Sequence, residues 1–224
     1  MNSRGKMGRQ ILVINPNSNE AVTAALDHSL ERMRFAGGPE ITCMTLAEGP
    51  LGIETSRQSA ELVAPLCNLI AREQDEFDAF VVGCFSDPGV IAAREMTNKP
   101  VLGLCEAGVS AALNFGERFG ILTNMESDAN GERRLLRAQG LDARLAGIEA
   151  IGVSVTDLQD VPEIREALLQ AARRLEQSGA GTVVLGCAGM TPFAERLAEE
   201  TGLWVVNPVV AAVGLAIAAV VARA

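Results

Sequence analysis

Two short words, VVGC at residues 81–84 and VVLGC at residues 183–187, constrain this chain more than any other feature. Each is a β-branched run closed by glycine and cysteine. Each is followed within five residues by a polar residue and a proline, Asp87-Pro88 and Thr191-Pro192. Cys84 and Cys187 lie 103 residues apart. Two further matches keep the same order. LVINPNS from Leu12 resembles GILTNMES from Gly120, with Asn15 placed 108 residues before Thr123. VLGLCEAG from Val101 resembles WVVNPVVA from Trp204, again 103 apart. Self-similarity at a nearly fixed offset marks a duplicated architecture, here two similar halves of about 100 residues.

Each half reads as α/β. Near-continuous apolar runs at residues 11–14, 41–44, 79–83, 100–104, 119–123, 181–186 and 204–206, with a weaker one at 148–155, alternate with helical patterns. Strands apolar on both faces belong to parallel sheets covered by helices. A first helix is expected over 19–34. A kink or restart is expected at Pro65, inside the helical pattern 61–72. Asp160 is expected to cap a helix running from Pro162, and Asp87, Thr191 and Asn207 each precede a proline suited to a first helical turn. The expected division is 9–103 with the C-terminal 205–224 in one half and 104–204 in the other, the halves facing across a cleft. Ligands in such sheets sit at the carboxyl ends of the strands. Residues 1–9 read as a flexible tail.

Composition removes whole classes of function. With 28 acidic and 19 basic residues the formal charge is −9, which argues against a nucleic-acid partner. One histidine and no tyrosine exclude a histidine-rich metal site and leave serine–histidine–aspartate chemistry only His28, which reads as a packing or surface residue on the first helix. Arg133, Arg134, Arg137 and Arg144 read as a solvated helix face. Lys6 and Lys99 are the only lysines, and no GxGxxG or P-loop pattern is present, so no cofactor and no metal are expected. Five unclustered cysteines do not form a secreted disulfide framework and point to a reducing, cytoplasmic setting. The apolar stretch after Pro208 runs about 15 residues, short of the roughly 20 that span a bilayer, so it is expected to be buried or to form a contact between subunits of a homo-oligomer.

The candidate chemistry lies in Cys84 and Cys187, each expected in a glycine-preceded strand-to-helix turn. Helix-start N–H groups aimed at such a turn are expected to lower a thiol pKa and favour the thiolate. Cys43, Cys67 and Cys105 read as packing residues. Two thiols facing across a cleft can invert a carbon acid. One removes a proton as thiolate, and the other delivers a proton to the opposite face.

INPNS (14–18), GCFSDPG (83–89), GLCEAG (103–108) and LGCAGM (185–190) together resemble the aspartate/glutamate racemase superfamily, and within it the hydantoin racemase branch that includes allantoin racemase. The resemblance implies two Rossmann-like parallel-sheet halves related by a pseudo-twofold axis, with Cys84 and Cys187 as an acid/base pair in the cleft. It also implies a pocket for a small cyclic ureide, lined by Asn15, Pro16, Asn17, Phe85, Ser86, Thr123, Ala188 and Gly189. Ser86 stands where glycine is more usual. Glu106 could orient a loop or sit at a helix start. No arginine or lysine lies inside the four words, which weighs against an aspartate or glutamate substrate. A maleate isomerase relative and a non-catalytic small-molecule binding module remain as alternatives. Having both cysteines disfavours an arylmalonate decarboxylase.

Overall fold

The computed structural model describes residues 8–155, 157–158 and 161–222. The tail expected at 1–9 lies mostly outside these residues, as does Asp160. Two four-stranded parallel sheets organise the chain. The first contains β1 (Gln10–Asn15), β2 (Glu40–Thr45), β3 (Ala79–Val82) and β4 (Val101–Gly103) in the order β2-β1-β3-β4. The second contains β5 (Phe119–Thr123), β6 (Leu145–Ala150), β7 (Thr182–Leu185) and β8 (Trp204–Val206) in the order β6-β5-β7-β8. Adding four to each strand of the first order gives the second, so the duplication read from the sequence is a duplication of topology. The weak strand expected at 148–155 is β6, placed earlier at Leu145–Ala150.

Nine α-helices cover the sheets among the described residues: α1 (Glu20–Ser29), α2 (Ser56–Glu61), α3 (Val63–Glu73), α4 (Val90–Met96), α5 (Leu104–Ala112), α6 (Glu126–Gln139), α7 (Pro162–Gln177), α8 (Ala194–Thr201) and α9 (Pro208–Ala222). The restart expected near Pro65 is the break at Leu62 between α2 and α3. The first helical pattern ends as α1, followed by a short 3₁₀ turn at Glu31–Met33. The cap of α7 is Val161, with Pro162 in the first turn.

Strand alternation sorts the side chains into three cores. Ile11, Val13, Ala79 and Val81 face the middle of the molecule, where they meet Phe119, Ile121 and Val184 of the second sheet together with residues of α1, α5, α6 and α9. Leu12, Ile14, Phe80 and Val82 face outward onto α3 and α4. Leu122, Val183 and Leu185 face outward onto α7 and α8. The helices cross over between the halves. α5, which follows β4, packs on β7 and β8, whereas α9, which follows β8, packs on β1, β3 and β4. β8 itself pairs with β7, so Val205 and Val206 belong with the second sheet and not with the first half, where the 205–224 boundary put them. α9 buries Val209, Ala212, Val213, Ala216 and Val220 within the chain. Its register starts where expected, because the Asn207 side chain accepts from the Val209 N–H at 3.0 Å. No described helix is long and apolar enough to cross a membrane.

Candidate active site

The two cysteine turns are built alike. Past the end of β3 the Gly83 N–H donates to the Ile14 carbonyl at 2.8 Å; past the end of β7 the Gly186 N–H donates to the Leu122 carbonyl at 2.6 Å. Glycine is required at both positions by close approach. A Cβ on Gly83 would stand 3.0 Å from Ile14 O, and one on Gly186 would stand 2.6 Å from Leu122 O. The chain therefore hugs the neighbouring strand end, then turns, and delivers Cys84 and Cys187 to the carboxyl edges of their sheets. Both line one cavity of about 540 Å³ between the halves.

Position 86 distinguishes the turns. The Ser86 N–H and hydroxyl both address the Cys84 sulfur, the hydroxyl at 3.3 Å. Among the described residues Cys187 receives only the Gly189 N–H. The expectation of lowered thiol pKa values is corrected. Burial pushes the Cys84 thiol up, an effect opposed by Ser86 and reinforced by Asp87 and Asp128. Burial pushes Cys187 up to about 12, with only Gly189 in opposition and Cys84, Asp128 and Glu132 adding to the rise. The reason is geometric: no regular α-helix begins at either cysteine. α4 starts at Val90, and a 3₁₀ segment, Ala188–Phe193, follows Cys187. Weak helix-start dipoles do not offset removal of a thiolate from water. Cys43, Cys67 and Cys105 lie outside the cavity lining, and Cys105 is fully buried.

Asp87 does not cap the helix that follows it. It takes a left-handed conformation, φ 48°, and its carboxylate accepts from the N–H groups of Cys105 and Glu106 at 2.9 and 3.0 Å, capping α5 instead. Burial pushes this carboxyl up to about 6 despite those bonds. Since α5 packs on the second sheet, Asp87 fastens the Cys84 loop to the other half. Glu106, considered as a loop organiser, instead pairs with Arg94 at 2.7 Å. Thr191 likewise does not cap; it lies inside the 3₁₀ segment, and α8 begins after Phe193.

Of the expected pocket residues, Asn17, Phe85, Ser86, Thr123, Ala188 and Gly189 line the cavity, while Asn15 and Pro16 do not. Asn15 is fully buried. Its side-chain amide reaches Asn17, the Asn19 carbonyl and Thr23, and its carbonyl oxygen accepts from the Asn17 N–H, so it holds the INPNS loop in shape. Arg134, Asp128 and Glu132 are among the polar cavity residues that the sequence does not place there. Arg134 is exposed, as a solvated face implies, and it also lines the cavity, with Nη2 at 3.5 Å from Ser56 Oγ. Asp128 also lines it. Glu132 sits beneath the Cys187 turn, only 6% exposed, accepting from the Thr123 hydroxyl at 2.7 Å while its second oxygen has no partner among the described residues. Burial pushes it up to about 8. A signal for it existed, because Ala129, Glu132 and Leu136 form the buried stripe of α6, and an acid on such a stripe stands out. Among the described residues no group of three or more His, Cys, Asp or Glu could hold a metal ion.

Duplicated parallel-sheet halves that each contribute a cysteine turn to a shared cleft define the class of the molecule, a two-thiol acid/base enzyme. The comparisons with known proteins agree. The family model described as Asp/Glu/Hydantoin racemase matches residues 11–216. The hydantoin racemase of Paenarthrobacter aurescens is 35% identical over 207 residues, 91% of this chain and 87% of that one. Among solved structures, allantoin racemase from Klebsiella pneumoniae superposes with a TM-score of 0.87 at 31% identity, covering 96% of this chain and 88% of that one. Allantoin racemase from Pseudomonas fluorescens gives 0.89 at 27% identity, covering 95% and 91%. The chain belongs to the Asp/Glu/hydantoin racemase family, in its hydantoin and allantoin racemase branch, and is an isomerase of the cofactor-independent two-cysteine type.

Proposed function

We propose that the chain racemises five-membered cyclic ureides, 5-substituted hydantoins or allantoin, with Cys84 and Cys187 as the acid/base pair. The observation that carries this reading is the delivery of both thiols to one cavity from equivalent turns of opposite halves. In one direction the thiolate of one cysteine takes the hydrogen on the substituted ring carbon. The C–H pair moves into the adjacent carbonyl as an enolate, and the S–H of the other cysteine returns a proton to the opposite face. Each turnover exchanges the protonation states of the two sulfurs, and the reverse reaction restores them. Asn17, Ser86, Thr123 and Gly189 are the candidate hydrogen-bonding contacts to the ring, with Asn15 and Pro16 shaping the loop behind them.

A neutral ring suits a cavity whose ionisable lining is mainly acidic, with Glu54 and Asp128 against Arg134 and the buried Glu132 favoured in its neutral form. A dicarboxylic amino acid would meet net repulsion there. The same reading sets the enzyme in a reducing cytoplasm, supported by the free cysteines. It works as a homo-oligomer, supported by the stacked and exposed Phe115–Trp204 pair, and without a nucleic-acid partner, supported by the net charge of −9. The test is polarimetry in heavy water on single-enantiomer hydantoins, allantoin, aspartate and glutamate. Decay of rotation with deuterium entering at the ring carbon of a ureide is expected. Decay with the amino acids alone would overturn the substrate assignment, and binding without exchange would make the chain a binding module.

A further inference from the structure

The two sulfurs share a cavity but not a hydroxyl. The Ser86 Oγ lies 3.3 Å from the Cys84 Sγ and 3.1 Å from the Oγ of Ser59, which α2 carries to the cavity wall. Cys84, Ser86 and Ser59 thus form a chain in which each hydroxyl can donate toward the sulfur: Ser59 to Ser86, and Ser86 to Cys84. In the other half the corresponding residue is Gly189, which has no hydroxyl, and a Cβ there would stand 3.5 Å from the Cys187 Sγ and 3.0 Å from Leu158. The groups facing Cys84 are otherwise unhelpful to a negative sulfur. Asp87 is in its own turn, Asp128 and Glu132 are on α6, Glu54 precedes α2, and Cys187 stands opposite. Arg134 on α6 is the cation of the described cavity lining.

We propose that Ser86, held by Ser59, is a positioning residue that donates to Cys84 and makes it, rather than Cys187, the first of the two sulfurs to ionise. Cys84 is then the first sulfur to become thiolate as pH rises, with Cys187 still a thiol, which poises the site for the enantiomer whose hydrogen faces Cys84. Burial raises both thiols, but Ser86 opposes the rise at Cys84 through its hydroxyl and its N–H, whereas Cys187 has no side-chain donor among the described residues. A hydrogen bond to a charged sulfur is stronger than one to a neutral thiol, so the donor favours the thiolate.

This inference rests on the two-thiol reading for its catalytic meaning, yet its test does not require turnover. Ligand-free protein is alkylated with iodoacetamide across pH, and each cysteine-containing peptide is quantified over time. Cys84 is expected to label first, with its half-point below that of Cys187. Ser86→Ala should slow Cys84 on the order of ten-fold at neutral pH, the effect of about one pKa unit, and leave Cys187 unmoved. Ser86→Thr, which keeps the hydroxyl, should restore the profile, and Ser59→Ala should give a smaller slowing. The unmoved Cys187 rate serves as the internal check on folding. Cys187 labelling first in the parent protein would overturn the proposal. So would a Cys84 profile that is the same in Ser86→Ala and the parent. Failure of the substrate assignment would leave this labelling pattern intact.

Discussion

The Cys84 and Cys187 turns have the same strand-end hydrogen bond, the same glycine forced by a neighbouring carbonyl, and the same N–H two residues on that addresses the sulfur. They differ in what surrounds that frame. The first has hydroxyls at the sulfur, Ser86 and Ser59, and its own buried acid, Asp87, has both oxygens engaged by the N–H groups of Cys105 and Glu106. The second is backed by Glu132, an acid with one free oxygen, and has glycine where the first has serine. Duplication thus supplies one thiol from each half of the cleft, and side-chain divergence removes their equivalence. A racemase needs the first property for inversion. The second, on the proposed role of Ser86, decides which sulfur ionises first.

The largest expected effect comes from deleting either sulfur. On the proposed mechanism Cys84→Ser and Cys187→Ser should each lower racemisation by about 10²- to 10⁴-fold or more, because serine is a far weaker acid and base at neutral pH. Polarimetry measures it. One mutant racemising near the parent rate would break the comparison at its root.

Next come the glycines that set the frame. An added methyl at Gly186 meets a carbonyl oxygen more closely than one at Gly83, 2.6 against 3.0 Å. Overpacking of this kind costs about 1–3 kcal/mol. Gly186→Ala should fall toward the upper end and Gly83→Ala toward the lower, read from urea unfolding midpoints. The reverse order would mean that the two turns are not held by the same contact.

Glu132 gives a pH signature confined to the second half. Its folded-state pKa is raised to about 8 by burial, so its neutral form is the one the fold favours. The associated stability is present at low pH and lost as pH rises from the ordinary carboxyl range through about 8. Between pH 6 and 8 the parent protein should lose on the order of 2 kcal/mol relative to Glu132→Gln, from about 1.4 kcal/mol per pH unit. Parallel unfolding curves for the two proteins across that range would show that Glu132 ionises normally. Asp87, raised to about 6, adds the same sign of slope at lower pH.

The smallest effect sharpens the comparison by making the second turn resemble the first. Gly189→Ser places a hydroxyl near the Cys187 sulfur, at the cost of shifting the end of the Leu158 side chain. Alkylation of Cys187 should quicken several-fold. No change would show that a donor at this position cannot reach the sulfur.

The strands, the duplication and the two cysteines were legible because they are local and repeat: each strand is a contiguous apolar run, and VVGC and VVLGC advertise their equivalence. What was not legible depends on distant partners. Asp87-Pro88 has the local form of a cap, yet the carboxylate serves α5, whose N–H groups lie 18 and 19 residues on. Arg134 is on an exposed, polar helix, and only the arrival of Ser56 from the other half makes that face a cavity wall. Val205 and Val206 read as part of the C-terminal return, but register with β7 decides their sheet. The thiol pKa values went the other way because proximity to a helix start is a sequence property, whereas burial is a property of the whole fold.

The most direct test of the two-thiol site is hydrogen exchange at the ring carbon, measured separately for each enantiomer of one hydantoin in heavy water. The parent protein should exchange and invert both. Cys84→Ser and Cys187→Ser should each exchange one enantiomer without inversion, and the two mutants should choose opposite enantiomers, because each surviving thiol works only its own face. Exchange of the same enantiomer by both mutants would contradict the account and leave a single base at the site.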